Sequence, residues 1–254
     1  MSFNADASID VAGATSSAWV SHDGVNFYRN HLLLPLAAAL AASVLLMVLH
    51  GDFWLADHLF ALQGHAWKLK SHLVTETIIH VGGKRLSLVA WLLVLAAAIG
   101  SCFGSRFVRW RRPLAYLALT TGLASLLVSG LKATSGMDCP WDLLRYGGDR
   151  AFIGWFDWRP ASMPTGRCFP AGHSSGGYAW VTLYFFFLVA RPRLRWVGLT
   201  LALVVGTTFG ISQQLRGAHF LSHDVWTLTI CWLTALAGYL VFFRHRRGSE
   251  SAQP

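Results

Sequence analysis

Charge is what this sequence has least of. Only 13% of its 254 residues are Asp, Glu, Lys or Arg, against about 25% in an ordinary soluble domain. With 54% hydrophobic residues beside so little charge, the composition sets the chain apart from soluble domains and places it in the membrane class. Acids are scarcer than bases, 12 against 21, for a formal net charge of +9. That excess does not point to nucleic acid, and no such partner is expected, because the arginines stand in short clusters between apolar runs, the pattern of cytoplasmic loops. A basic leader is missing too. Residues 1–21 are polar and mixed, with Asp6 and Asp10, so no cleavable signal peptide is read there and the first apolar run is taken as a retained span. Internal repeats and low-complexity tracts are absent as well.

What is there is a series of apolar runs. A helix of about 20 residues crosses a hydrocarbon core about 30 Å thick, and runs near 31–50, 86–103, 114–132, 176–190, 196–214 and 225–243 qualify, the fourth being short. The expected fold is all-α: a polytopic membrane protein of about six transmembrane helices in a bundle. A polar segment 1–30 precedes a membrane domain 31–247 with loops 51–85 and 133–171, and a tail 248–254 follows. Arg106, Arg109, Arg111 and Arg112, then Arg191, Arg193 and Arg195, then Arg244, Arg246 and Arg247 fall on one side of such a bundle. Assigning that side to the cytoplasm turns the two long loops toward the periplasm of a bacterial inner membrane. Segment 52–85 reads either as an amphipathic stretch along the interface or as a folded loop. Segment 133–171, rich in Gly, Pro, Trp, Asp and Arg, is the largest extramembrane element and the place to look for chemistry.

Three polar clusters stand at span ends on that same face. Lys132 closes the third span and is followed by Cys139 and Pro140. Pro170, Ala171, Gly172, His173 and Ser174 open the fourth. Gln213, Arg216, His219, His223 and Asp224 join the last two. A lone lysine at a helix end is usually a snorkelling anchor and a lone histidine usually a satisfied polar group. Two or more histidines with cations and a carboxylate at one membrane face are a functional set, since each ion is costly there. The chemistry they suit is phosphoryl transfer without a metal. Lys132 and Arg216 supply cations for phosphate oxygens, and Gly172 lets backbone N–H groups approach the anion at a helix start. His219 serves as nucleophile with a carboxylate to orient it, and His173 as general acid and then base. His219 and His223 also have metal-ligand spacing on a helix, but no glutamate follows the first histidine and no third ligand is evident, so no metal and no cofactor are expected.

In these clusters the sequence resembles the type 2 phosphatidic acid phosphatase superfamily, whose signatures are Lys-x6-Arg-Pro, Pro-Ser-Gly-His and Ser-Arg-x5-His-x3-Asp. Here they read Lys132-x6-Cys139-Pro140, Pro170-Ala171-Gly172-His173 and Ser212-Gln213-x5-His219-x3-His223-Asp224. Cysteine, alanine, glutamine and histidine replace the arginine of the first, the serine of the second, and the arginine and aspartate of the third. The resemblance implies a helical membrane core, a phosphohistidine on His219, His173 as general acid, and metal independence. Arg216, three residues after Gln213, faces roughly the same way on a helix and stands in for one lost arginine; Arg167 or Arg145 is the candidate for the other. Either His223 or Asp224 orients His219. Cys139 and Cys168, beside the first two signatures in an oxidising compartment, are expected to form a disulfide, while Cys102 and Cys231 lie in or beside spans as inert packing residues.

The activity expected is hydrolysis of a phosphomonoester or diphosphate on a membrane lipid: undecaprenyl diphosphate, phosphatidic acid, phosphatidylglycerol phosphate or lipid A. Phosphotransfer to an acceptor lipid through the same intermediate is an alternative, as is a non-catalytic protein that binds anionic lipid. A haloperoxidase is disfavoured, since that branch is soluble.

Overall fold

The computed structural model describes residues 24–154, 157–160 and 164–244. Arg246, Arg247, the tail 248–254 and most of the N-terminal polar segment lie outside them. Seven helices carry the fold: α1 (Val25–Val48), α2 (Gly51–Leu62), α3 (Leu73–Gly100), α4 (Ser105–Thr134), α5 (Ser175–Ala190), α6 (Pro192–Leu215) and α7 (Leu221–Phe243). Five of them (α1, α3, α4, α6 and α7) are long and apolar enough to cross a membrane, and α5 is a shorter apolar helix. The described residues contain no β-strand. The chain is an all-α polytopic membrane protein.

Two boundaries differ from the sequence reading. The first span starts at Val25, inside the segment assigned as polar, and the second starts at Leu73 instead of near residue 86. Segment 51–85 is therefore no single loop: it holds α2, a connecting turn, and the first turns of α3. Polar residues hid that start. Glu76, His80 and Lys84 recur every fourth residue, and the first ten residues of α3 are wound as a π-helix, which keeps the three close to one face. At 30 residues, α4 runs to about 45 Å, well beyond a hydrocarbon core of about 30 Å, and α3, with 28 residues, exceeds that core as well.

Helices α4, α5 and α7 enclose the core, where Tyr116, Val128, Val181, Phe185 and Cys231 are fully buried. Polar groups inside it are paired, as they must be away from water. The Tyr116 hydroxyl donates to the Ala235 carbonyl at 2.9 Å, and the Thr121 and Thr182 hydroxyls meet at 2.6 Å. Glycines set the closest crossing: Gly177 on α5 lies so near Gly206 on α6 that a Cβ would overlap the facing backbone. By contrast α1 and α3 bury little, and leucines and valines such as Leu40, Val44, Leu86 and Leu93 point outward, as lipid-facing surfaces do. At the far end, Arg111 donates to the carbonyls of Ser101 (2.8 Å) and Cys102 (3.0 Å), capping α3.

On the site side, the segment between α4 and α5 folds around one carboxylate. Asp138 is buried and accepts from Arg150 at 2.7 Å and Arg159 at 2.5 Å. The Cys168 N–H donates to the Met137 carbonyl at 2.9 Å, and Cys139 and Cys168 are joined by a disulfide with Cα atoms 5.2 Å apart. Helix α2 packs Phe53, Ala56 and Phe60 against Leu143, Tyr146 and Phe220. It belongs to the folded cap, which favours the folded-loop reading for this part of 51–85.

Candidate active site

The turn from α6 into α7 carries His219, and the first turn of α7 carries His223. It needs a glycine, since Gly217 has φ +72° and the Trp67 indole lies where a Cβ would stand. From α2, Asp52 Oδ1 accepts from the Ser222 N–H at 2.9 Å and so caps the start of α7. Burial raises the Asp52 carboxyl to about 6, against those hydrogen bonds. His219 and His223, four residues apart, meet Nδ1 to Nδ1 at 3.3 Å. Both are buried, and both rings reach the backbone of Cys168. Burial, with His223 adding to it, holds His219 well below the usual imidazole range. A hydrogen bond between the two Nδ1 atoms uses one proton; in the tautomer that places it on His219, Nε2 carries the lone pair of that ring.

Asp224 is not the partner of His219. Its carboxylate accepts from Ser174 Oγ and, at 2.7 Å, from Gln214 Nε2, and Gly210 on α6 leaves it room. Being one residue past His223 turns it by about 100° around the helix, toward α5 and α6. It ties together the starts of α5 and α7 and the end of α6. Of the two candidates, His223 is the one that touches His219.

His173 sits in the turn that opens α5. Its Nε2 is buried and has no hydrogen-bond partner among the described residues, while a backbone hydrogen bond to Ile79 engages the ring. The His80 ring stands edge-on to it at 4.5 Å and Phe209 covers it at 4.6 Å. Burial, then the neighbouring His80, lowers its pKa to about 4. The signature loop is pinned to α7: the Ala171 N–H donates to the His223 carbonyl at 3.3 Å, and Thr227 Oγ1 donates to the Ala171 carbonyl at 3.2 Å. Lys132, in the last turn of α4, reaches across Gly172, where a Cβ would stand 3.0 Å from its Cδ and 3.4 Å from its Nζ. It acts electrostatically on both His173 and His219. Lys132, Gly172, His173 and the His219–His223 pair thus form one cluster, with the cation crossing the one residue that has no side chain to block it.

Two of the sequence candidates are committed elsewhere. Arg216 does face Gln213, whose Oε1 accepts from it at 3.2 Å, but its guanidinium also donates to the Lys70 carbonyl at 2.8 Å and to His80 Nδ1 at 3.1 Å, and it pairs with Glu76. A carboxylate of α3 already occupies the fork meant for phosphate. Arg145 makes a bidentate pair with Asp57, at 2.8 and 2.6 Å, and also stands over Phe53. It holds α2 to the loop and does not replace the lost arginine. Arg150 and Arg159 are spent on Asp138. Arg167 is exposed, forms no ion pair with the described residues, and adjoins Cys168, whose backbone touches both site histidines.

The family model of the PAP2 superfamily matches residues 113–247. The chain belongs to the PAP2 superfamily. No curated protein and no solved structure matches it significantly. A PAP2-superfamily assignment accounts for a phosphatase-type helical fold and for the region holding Lys132, Gly172, His173, His219 and His223. It does not cover α3, which brings Glu76, His80 and Lys84 to the cluster and was overlooked in the sequence. Their signal was the four-residue spacing, which a scan for charge alone reads as a polar loop.

Proposed function

We propose that this PAP2-superfamily protein is an integral membrane phosphatase that hydrolyses a phosphate ester or anhydride of a lipid through a phosphohistidine on His219. The observation that carries the reading is the meeting of three things at one end of the bundle: a lysine lying across a glycine, a buried histidine with an unpartnered Nε2, and a second histidine whose Nδ1 is held by a third. Lys132 binds and neutralises phosphate oxygens. His219 Nε2 attacks phosphorus while its Nδ1–H stays on His223, which keeps the tautomer and stabilises the charge that develops. His173, protonated when the anion binds, gives its Nε2 proton to the leaving oxygen. It then takes a proton from the water that cleaves the N–P bond. No metal or cofactor enters this scheme.

Helices that cross the membrane, with the site at their ends, favour a substrate anchored in the bilayer. The disulfide beside the site favours an oxidising compartment, which for a bacterial inner membrane is the periplasmic side. Transfer of the phosphoryl group to an acceptor lipid uses the same intermediate. The test is inorganic phosphate release by detergent-purified protein in EDTA, for lipid phosphates of each class beside His219→Ala. Release that persists in EDTA and disappears in the variant is expected. Release that requires a divalent ion, or survives loss of His219, overturns the reading.

A further inference from the structure

The polar stripe of α3 points beyond a single phosphate, and rests on the phosphatase reading above. Glu76, His80 and Lys84 lie at four-residue steps near the start of a helix long enough to span, where Thr75, Thr77, Arg85 and Ser87 are the other polar side chains. Polar groups at such positions are costly unless they line a polar cavity or a binding path. The stripe faces the cluster. His80 stacks edge-on to His173 at 4.5 Å and accepts from Arg216 through Nδ1 at 3.1 Å, which leaves its Nε2–H as a free donor. Gly83 packs against the Phe209 ring, and Ser87 Oγ, one turn on, donates to the Gly176 carbonyl at 2.6 Å, docking this face on the start of α5. Lys84 is exposed and near enough to act on His80, His173 and Lys132. Among the described residues Glu76 pairs with Arg216, and neither Lys84 nor Lys132 has a carboxylate partner.

We infer that Lys84, with the His80 Nε2–H, forms a second phosphate subsite beside Lys132, so that the preferred substrate is a lipid diphosphate. Lys132 holds the terminal phosphate, and Lys84 and His80 hold the one next to the lipid. His219 Nε2 forms a bond to the terminal phosphorus as the bridging P–O bond breaks. The bridging oxygen leaves on the lipid monophosphate with the proton from His173. Water then attacks the phosphohistidine, the N–P bond breaks, and inorganic phosphate departs as His173 recovers a proton.

The test compares kcat/KM for farnesyl diphosphate and farnesyl monophosphate with the detergent-purified protein and Lys84→Met. Inorganic pyrophosphate and inorganic phosphate serve as competing ligands, and their binding is also measured directly by calorimetry. The expected result is a preference of at least about tenfold for the diphosphate, with the ratio of the two kcat/KM values falling about tenfold in the variant, the change produced by one charge-assisted contact. Pyrophosphate should bind more tightly than phosphate and lose that advantage in Lys84→Met. Equal use of both lipids, or an equal loss on both, overturns the second subsite. Pyrophosphate hydrolysed as well as the lipid diphosphate keeps the subsite and removes the requirement for a lipid. Should neither lipid be hydrolysed, or activity survive His219→Ala, the catalytic reading fails. The binding comparison still decides the subsite, because pyrophosphate bound no better than phosphate refutes it.

Discussion

Replacing His223 and Asp224 in turn separates two roles that adjacent residues could each have filled. His223 touches His219 Nδ1 at 3.3 Å, whereas Asp224 accepts from Ser174 and Gln214. His223→Leu fills a fully buried position with an apolar side chain and removes the group against His219 Nδ1, which in the proposed mechanism fixes the tautomer of the nucleophile. Loss of an orienting residue of this kind costs between about 10² and 10⁴ in kcat, with KM little changed because the lysines that bind phosphate are untouched. Asp224→Ala leaves the Ser174 hydroxyl and the Gln214 amide buried without an acceptor. At about 1–3 kcal/mol for each orphaned group, the structure loses roughly 2–6 kcal/mol. That variant should unfold at a clearly lower temperature, and the fraction that remains folded should keep a kcat within about tenfold of the parent, an effect of about 1.4 kcal/mol on the barrier. The assays are steady-state phosphate release and thermal unfolding in the same detergent. A His223→Leu protein with nearly full kcat, or an Asp224→Ala protein with an unchanged melting temperature and kcat reduced a thousandfold, would refute the assignment.

Three further expectations follow from single contacts. In Gly172→Ala the new Cβ meets Lys132 Cδ at 3.0 Å and must push the ammonium aside, so kcat/KM should fall about tenfold, the loss of about one charge-assisted contact, with little change in melting temperature. Asp52 has its folded pKa raised to about 6 from 3.8, so the fold binds the proton more tightly than the unfolded chain. The stability this contributes is complete below about pH 4 and is lost as the pH rises through 6, on the order of 3 kcal/mol in all. Asp52→Asn, which keeps an oxygen for the Ser222 N–H, should flatten the melting temperature across that window; an unchanged slope rules out Asp52 as its source. Opening the Cys139–Cys168 disulfide releases a loop with a sequence separation of 29, about 3.5 kcal/mol on the chain-entropy model. The melting temperature should drop with reductant in the parent and stay put in the double serine variant, and intact mass after alkylation without reductant should show that Cys139 and Cys168 take up no label.

How far the site could be read in advance depended on the range of the interactions involved. Lys132, Gly172, His173, His219 and His223 stand at span ends in short motifs, and a motif held by one turn or one helix start is local geometry. What each polar group pairs with is not local. Arg216 looked like a phosphate ligand until Glu76 and His80, more than 130 residues earlier in the chain, were seen against it. Arg145 looked available until Asp57, 88 residues away, was seen to hold it. The start of α3 was misjudged for a related reason: Glu76, His80 and Lys84 lower the local hydropathy, and only packing against α5 and α6 explains why a helix carries them.

By itself the sequence determined that this protein lives in a membrane as a bundle of helices, because a lack of charge and apolar runs of spanning length leave a chain no other stable arrangement. It also determined which residue types arrive at one end of that bundle. Tertiary structure alone decided which of His223 and Asp224 touches His219, which lysines lack a carboxylate partner among the described residues, and that α3 packs against the cluster. Those outcomes turn on a rotation of about 100° between adjacent helical residues and on partners brought together from distant parts of the chain, neither of which is encoded in any single segment.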